Sequence, residues 1–239
     1  MYTEIKRKKL MLENRKPYKA EAVELVKEQN QFDLIWGGLL LEGILFQKED
    51  IFSIIRGEYV VSLSINDHIL IRNYCDVFSL LNEMSELREM LDEKSMIKIY
   101  HAFIKNREAI FRSSNPVLHS IDYIPPHFKE IQEQMKLLFD FMKDAGSEMN
   151  PILRAAYMHN KLVEIYPFES GNLEIARFAM QYELVRNGLP IVMLDMKEQE
   201  YFDLIRKYIK TEDASPLYEK LVELILKKQE FLLSITNIN

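Results

Sequence analysis

Apolar residues recur at intervals of three and four along most long segments of this 239-residue chain, and only 7 Gly and 8 Pro interrupt them. A 3.6-residue period puts such positions on one helix face, whereas a half-buried strand needs alternation at two. The expected class is therefore mainly α. Ile71, Tyr74, Cys75, Phe78 and Leu81 share a face of a helix over about Asp67 to Met84, and Ile152, Ala155, Ala156, His159, Leu162 and Val163 form a buried stripe behind Pro151. Further helices are expected over Ala20 to Phe32, Lys48 to Ile55, Lys94 to Lys105 and from near His127. Others run from Leu173 to the Asn187-Gly188 stop, over Glu198 to Lys210, and from Ser215, read as an N-cap, to Leu233. Trp36-Gly37-Gly38 reads as an interruption or the end of the Ala20 helix, ahead of a second short apolar piece, Leu39 to Phe46. Between Ala109 and Tyr123 the period fails. There Ser113-Ser114-Asn115-Pro116, flanked by Ile110-Phe111 and Val117-Leu118, predicts a small hairpin.

Charge and cysteine usage exclude several classes. A net charge of −6 argues against the broad basic surface of a general nucleic-acid binder. Lys6-Arg7-Lys8-Lys9 has no apolar stretch behind it, so it reads as a solvated terminus rather than a secretory signal. The longest apolar run, Leu34 to Leu41, is far short of a membrane span. Cys75 is the only cysteine, which removes internal disulfides and cysteine metal clusters and makes a cytoplasmic location the expectation. No two of His68, His101, His119, His127 and His159 stand at helical pair spacing, so no histidine metal site is expected.

One stretch carries chemistry in its layout: Tyr166-Pro167-Phe168-Glu169-Ser170-Gly171-Asn172-Leu173-Glu174-Ile175-Ala176-Arg177. A glycine turn feeding a helix start presents free N–H groups and the positive end of the helix dipole, which together attract phosphate. This stretch resembles the Fic family signature, His-x-Phe-x-(Asp or Glu)-Gly-Asn-Gly-Arg-x-x-Arg, with Pro167, Phe168, Gly171, Asn172 and Arg177 at matching positions. The resemblance extends to Tyr123-Ile124-Pro125-Pro126, to His159 seven residues ahead of Tyr166, to the strand-like tail Asn187-Gly188-Leu189-Pro190-Ile191, and to Tyr201 through Leu217. It spans residues 30 to 225. It implies a Fido-fold helical domain with a small β-hairpin flap and an N-terminal helical extension. In chain order that means residues 1–90 as a helical region with an inhibitory-like helix, 91–225 as a Fic-like core, and 226–239 as the end of a C-terminal helix.

Family members commonly transfer AMP from ATP to a protein hydroxyl, with the motif His as general base. Here that position is Tyr166. A phenol with a pKa near ~10 is only about 0.1% ionised at neutral pH, so no intact catalytic base is expected. Ser170 replaces the metal-holding acid, and a neutral hydroxyl is a poor ligand for a hard cation. Glu169, one residue earlier, is a weak substitute because neighbours in a tight loop point different ways. Leu173 replaces the second motif glycine and Glu174 the first motif arginine. At about 4 Å and an effective dielectric of 20, a unit charge interacts with a phosphate charge by roughly 4 kcal/mol, and Glu174 in place of a cation reverses the sign of a term of that order. Phe168, Gly171, Asn172 and Arg177 are then a residual loop, without a metal site and with no cofactor expected.

Upstream, Gly38-Leu39-Leu40-Leu41-Glu42-Gly43 is similar to the family's inhibitory helix, (Ser or Thr)-x-x-x-Glu-(Gly or Asn), with Gly38 at the hydroxyl position. The resemblance implies a Glu42–Arg177 ion pair. The expected function is a degenerate, AMP-transfer-inactive Fic protein, a pseudoenzyme acting as a binding or regulatory module. Its expected partner is a protein, held by flap and cleft, with neither nucleic acid nor membrane, and a homodimer is open. The alternative is a divergent nucleotidyl- or phosphate-group transferase, using ATP and magnesium to modify protein hydroxyls, with Tyr166, Glu169 or Glu174 in new roles. A third reading is an antitoxin-like partner of an active relative.

Overall fold

In a computed structural model describing residues 1–105 and 110–236, the helices follow one another with short connections. They are α1 (Tyr2–Asn14), α2 (Ala20–Leu41), α3 (Lys48–Ile55), α4 (Ile65–Leu87), α5 (Glu93–Ile104), α6 (Ile131–Lys143), α7 (Pro151–Ile165), α8 (Asn172–Arg186), α9 (Glu198–Thr211) and α10 (Ser215–Ile235). Short 3-10 turns cover Phe128–Glu130 and Ala145–Glu148. Local chemistry explains several starts. Ser64 with Asp67, and Asp92 with Ser95, each form a reciprocal capping box that satisfies orphan N–H groups at α4 and α5. Asn150 caps α7 ahead of Pro151, whose missing N–H costs nothing at that position.

α8 lies at the centre and packs most extensively on α7, with α4 and α5 on its other sides. Its enclosure is nearly complete: Ile175, Phe178, Ala179 and Tyr182 are buried, and so are Arg177, Gln181 and Glu183. The buried polar groups have partners. Arg154 Nε donates to Glu183 Oε2 at 2.9 Å, tying α7 to α8, and the Gln181 amide meets both backbone groups of Val192, at 2.6 and 3.1 Å. That side chain does for Val192 what a neighbouring strand would do. The tail after α8 is therefore satisfied without strand pairing, which the strand-like reading of residues 187–191 did not foresee.

Four expectations need correction. α2 runs unbroken through Gly37-Gly38, because those glycines serve close packing: a Cβ on Gly38 would lie 2.4 Å from Tyr74 Oη, and one on Gly37 would lie 3.0 Å from Leu194 N. Residues 2–14 form a helix packed on α10, not a solvated terminus. Ile5 is fully buried, Lys9 donates to Asn187 O at 2.7 Å and Lys8 pairs with Glu230 at 3.0 Å. Ser215 is the first residue of α10 rather than its cap, and its N–H donates to Asp213 Oδ1 at 2.9 Å.

The hairpin is the fourth. Among the described residues Ile110-Phe111 does not pair with Val117-Leu118; Phe111 bridges to Phe168 and Leu118 to Tyr123, both isolated and antiparallel. Ala109, where the hairpin reading begins, lies outside the described residues. No helix among the described residues is long and apolar enough to cross a membrane.

Candidate functional site

α7 ends where Tyr166 precedes Pro167, since the proline ring disfavours helical geometry in the residue before it. Tyr166 turns the chain with φ 49° and ψ 57°, a left-handed conformation, and its N–H still reaches Leu162 O at 2.9 Å. The following loop is held from three sides. Asn172 Oδ1 accepts from Phe168 N at 2.8 Å while its Nδ2 donates to Phe168 O at 2.9 Å, closing the turn on itself. Phe168, 1% exposed, stacks on Tyr100 and Phe111 at 5.1 and 6.0 Å. Gly171 has φ +71°, and a Cβ there would meet Ile104 Cδ1 at 2.7 Å, so the turn needs glycine on both counts.

Arg112 supplies the third hold, and the sequence reading did not single it out. Its N–H donates to Pro167 O at 3.0 Å. Its buried guanidinium donates to Tyr166 O at 2.7 Å, Ser114 O at 2.8 Å, Ile165 O at 3.3 Å and Pro126 O. Four carbonyls that no helix or sheet could satisfy thus share one planar cation, whose five donors suit such a fork. Burial pulls its pKa below the usual guanidinium value, with Tyr123 opposing. Only a basic residue next to the Ser113-Ser114-Asn115 turn hinted at this role.

The positions that depart from the signature sit around this loop. Tyr166 is half-buried, and burial followed by the Glu174 carboxylate pushes its phenol above the ordinary value, so it stays protonated. Glu169 and Ser170 are exposed, and Leu173 and Glu174 are half-buried. Glu174 stands in the first turn of α8, where its own charge meets the positive end of the helix. Among the described residues no three His, Cys, Asp or Glu side chains are grouped to hold a metal ion.

Behind the loop, Arg177 is 4% exposed and its Nη2 donates to Glu42 Oε1. Glu42, at the end of α2, also accepts from the fully buried Tyr74 hydroxyl at 3.0 Å. The guanidinium lies 5.8 Å from the Tyr201 ring. Burial opposes its charge, but Tyr201, Tyr74, Glu42 and Glu174 outweigh that and hold it protonated. Burial pushes the Glu42 carboxyl up and Arg177 pulls it back.

His159 joins the same cluster from α7. Its Nδ1 lies 3.0 Å from Asn160 Oδ1 and its Nε2 lies 2.8 Å from Tyr201 Oη. Burial lowers its pKa to about 4, so the ring is neutral, donating to Asn160 and accepting from Tyr201. The result is a continuous polar chain from His159 through Tyr201, Arg177 and Glu42 to Tyr74. Beside it the cavity bounded by Gly38, Tyr74, Arg177 and Gln181 measures about 10 Å³, room for no more than one water.

Residues 90–184 match the Fic/DOC family. Relatives include Protein adenylyltransferase Fic of Nematostella vectensis, 33% identical over 88 residues, covering 36% of this chain and 21% of the relative. Protein adenylyltransferase fic-1 of Caenorhabditis elegans is 34% identical over 82 residues, covering 34% of this chain and 16% of the relative. The match thus spans about a fifth of these relatives' length. Among solved structures, a Fic domain containing signaling protein from Bacteroides thetaiotaomicron superposes with a TM-score of 0.84 at 16% identity, covering 99% of this chain and 100% of that one. Residues 134–508 of C. elegans Fic-1 superpose at 0.79 with 18% identity, covering 98% and 72%. At such identities the superpositions show a shared fold and nothing finer. Through residues 90–184 the chain is similar to the Fic/DOC family, on a fold shared along its length.

Proposed function

We propose that this chain is a Fic-domain protein that has lost AMP transfer and works as a binding or regulatory module for a protein partner in the cytoplasm. Glu174 carries this reading: a carboxylate stands in the first turn of α8, where the family signature has an arginine for phosphate. It sets a negative charge at the helix end that would otherwise draw the triphosphate. The other departures point the same way. Tyr166 keeps its proton, Ser170 offers a metal only a neutral hydroxyl, and Arg177 is already paired with Glu42. The residues present do not fit a magnesium nucleotide, and we derive no transfer step through one. In this reading residues 1–90 supply the inhibitory-like helix, 91–225 the core and 226–239 the closing helix end.

Titration calorimetry with ATP, with and without magnesium, tests the proposal. Affinity weaker than millimolar is expected, and unchanged in Glu42→Gly, which frees Arg177 while leaving Glu174 in place. Tight magnesium-dependent binding, or transfer of labelled nucleotide to any protein, overturns it. A second reading, a divergent transferase acting on protein hydroxyls, is favoured by one finding: the curated relatives are named protein adenylyltransferases. Under that reading the label appears and Tyr166→Phe, Glu169→Gln or Glu174→Gln removes it.

A further inference from the structure

A cavity of about 220 Å³ opens between α2, α10 and the loop after Ile191, away from the Tyr166–Arg177 loop. On its wall Lys228 Nζ donates to Asp33 Oδ2 at 2.6 Å, and both side chains are more than nine-tenths buried. Asp33 Oδ1 accepts from Gln29 Nε2 at 2.8 Å. Among the described residues Asp33 takes one of the three ammonium protons, and the Phe231 ring lies 5.3 Å from the nitrogen. A lysine so deeply buried is costly unless its remaining donors are used. Two N–H groups on Lys228 and the spare lone pairs of Asp33 remain for something in the cavity.

The charges around the opening repeat the same pattern. Lys227 and Asp195 stand at the mouth, 3.7 Å apart and 72% and 54% exposed. Two cations and two anions make the site neutral in sum but strongly dipolar. A simple anion would gain from the lysines and lose to the aspartates, and a cation the reverse; a molecule bearing both charges gains from each. The remaining wall is apolar, formed by Met193, Leu224 and Phe231. The volume is below the ~300–1,000 Å³ of drug-sized pockets, which restricts the occupant to a small molecule.

We propose that this cavity binds a free zwitterionic α-amino acid with an apolar side chain. Its carboxylate accepts from Lys228, its ammonium donates to Asp33, Lys227 and Asp195 close over the head group, and its side chain packs on Met193, Leu224 and Phe231. The inference stands apart from the nucleotide question, since it shares no residue with the Tyr166–Arg177 loop or Glu42.

Ligand-observed NMR and calorimetry on the full chain with L-leucine and L-methionine test it. Saturable binding is expected, and leucine methyl ester and N-acetyl-leucine, each lacking one charge, should bind about tenfold more weakly or worse. Leu224→Trp, which fills the cavity, should abolish the signal. Because a core substitution can unfold the chain, Lys227→Ala and Asp195→Ala on the exposed mouth provide a second arm, each expected to weaken leucine by about threefold. No saturable binding up to tens of millimolar by a folded protein overturns the proposal. So does equal binding of leucine and its methyl ester, or binding that all folded variants leave unchanged.

Discussion

At the scale of single residues, the chemistry turns on which polar groups are buried and with what. His159 illustrates how burial selects a protonation state. Its pKa lies near 4 in the fold against 6.5 in the free side chain, so between those values the unfolded chain holds more protons and stability rises with pH. The contribution is complete above pH about 6.5 and is lost as pH falls towards 4, about 3 kcal/mol for a displacement of this size. Urea unfolding at pH 7 and pH 5 should show this loss in the natural chain and a smaller one in His159→Gln. Parallel losses would mean that the imidazole is not the source. The Glu42–Arg177 contact obeys a different rule. Pairing mainly prevents an unpaired buried cation, so it specifies where α2 ends against α8 more than it adds net stability.

At the scale of elements, α2 shows packing overriding local propensity. Glycine is about 1 kcal/mol worse than alanine inside a helix, so Trp36-Gly37-Gly38 reads as an interruption or ending in sequence. In the fold the missing Cβ atoms let α2 approach Tyr74 and the backbone of Leu194. Gly38→Ala should therefore destabilise despite its better propensity, by about 2 kcal/mol, because Tyr74 is fully buried and has nowhere to move. A urea midpoint that rises instead would show that the contact can relax. The Tyr166–Asn172 loop has an opposite history. Its glycine, its asparagine and the proline after Tyr166 were legible, since each has a specific backbone use. Arg112 was not, because its partners are carbonyls of residues as far apart as Ser114 and Ile165.

At the scale of the whole molecule, one hydrophobic core runs from Ile5 in α1 to Ile225 in α10. The N-terminal region is bound into it at its far end as well. Gln229 Nε2 donates to Ile5 O at 3.1 Å and Arg15 Nη1 to Leu233 O at 2.5 Å, so the first and last helices hold each other. Residues 1–90 are accordingly expected to unfold together with the rest. Trp36, the only tryptophan, lies in that region beside Phe32 at 5.6 Å. Its fluorescence and the far-UV circular dichroism should give coincident urea transitions. Separated transitions would make the N-terminal helices an independent unit.

The sequence by itself determined the helical class, most helix positions, and the outline of the 166–177 loop, because these depend on periodicity and on residue types with narrow backbone preferences. Even the Glu42 and Arg177 partnership was reachable through resemblance. Only the tertiary structure decided that residues 2–14 pack as a helix, that Phe111 bridges Phe168 rather than a hairpin neighbour, and that Asp33 and Lys228 share a cavity wall. Those outcomes join residues up to 224 positions apart. No local pattern encodes such pairs; they form because burial leaves each polar group only the partners that folding brings alongside it.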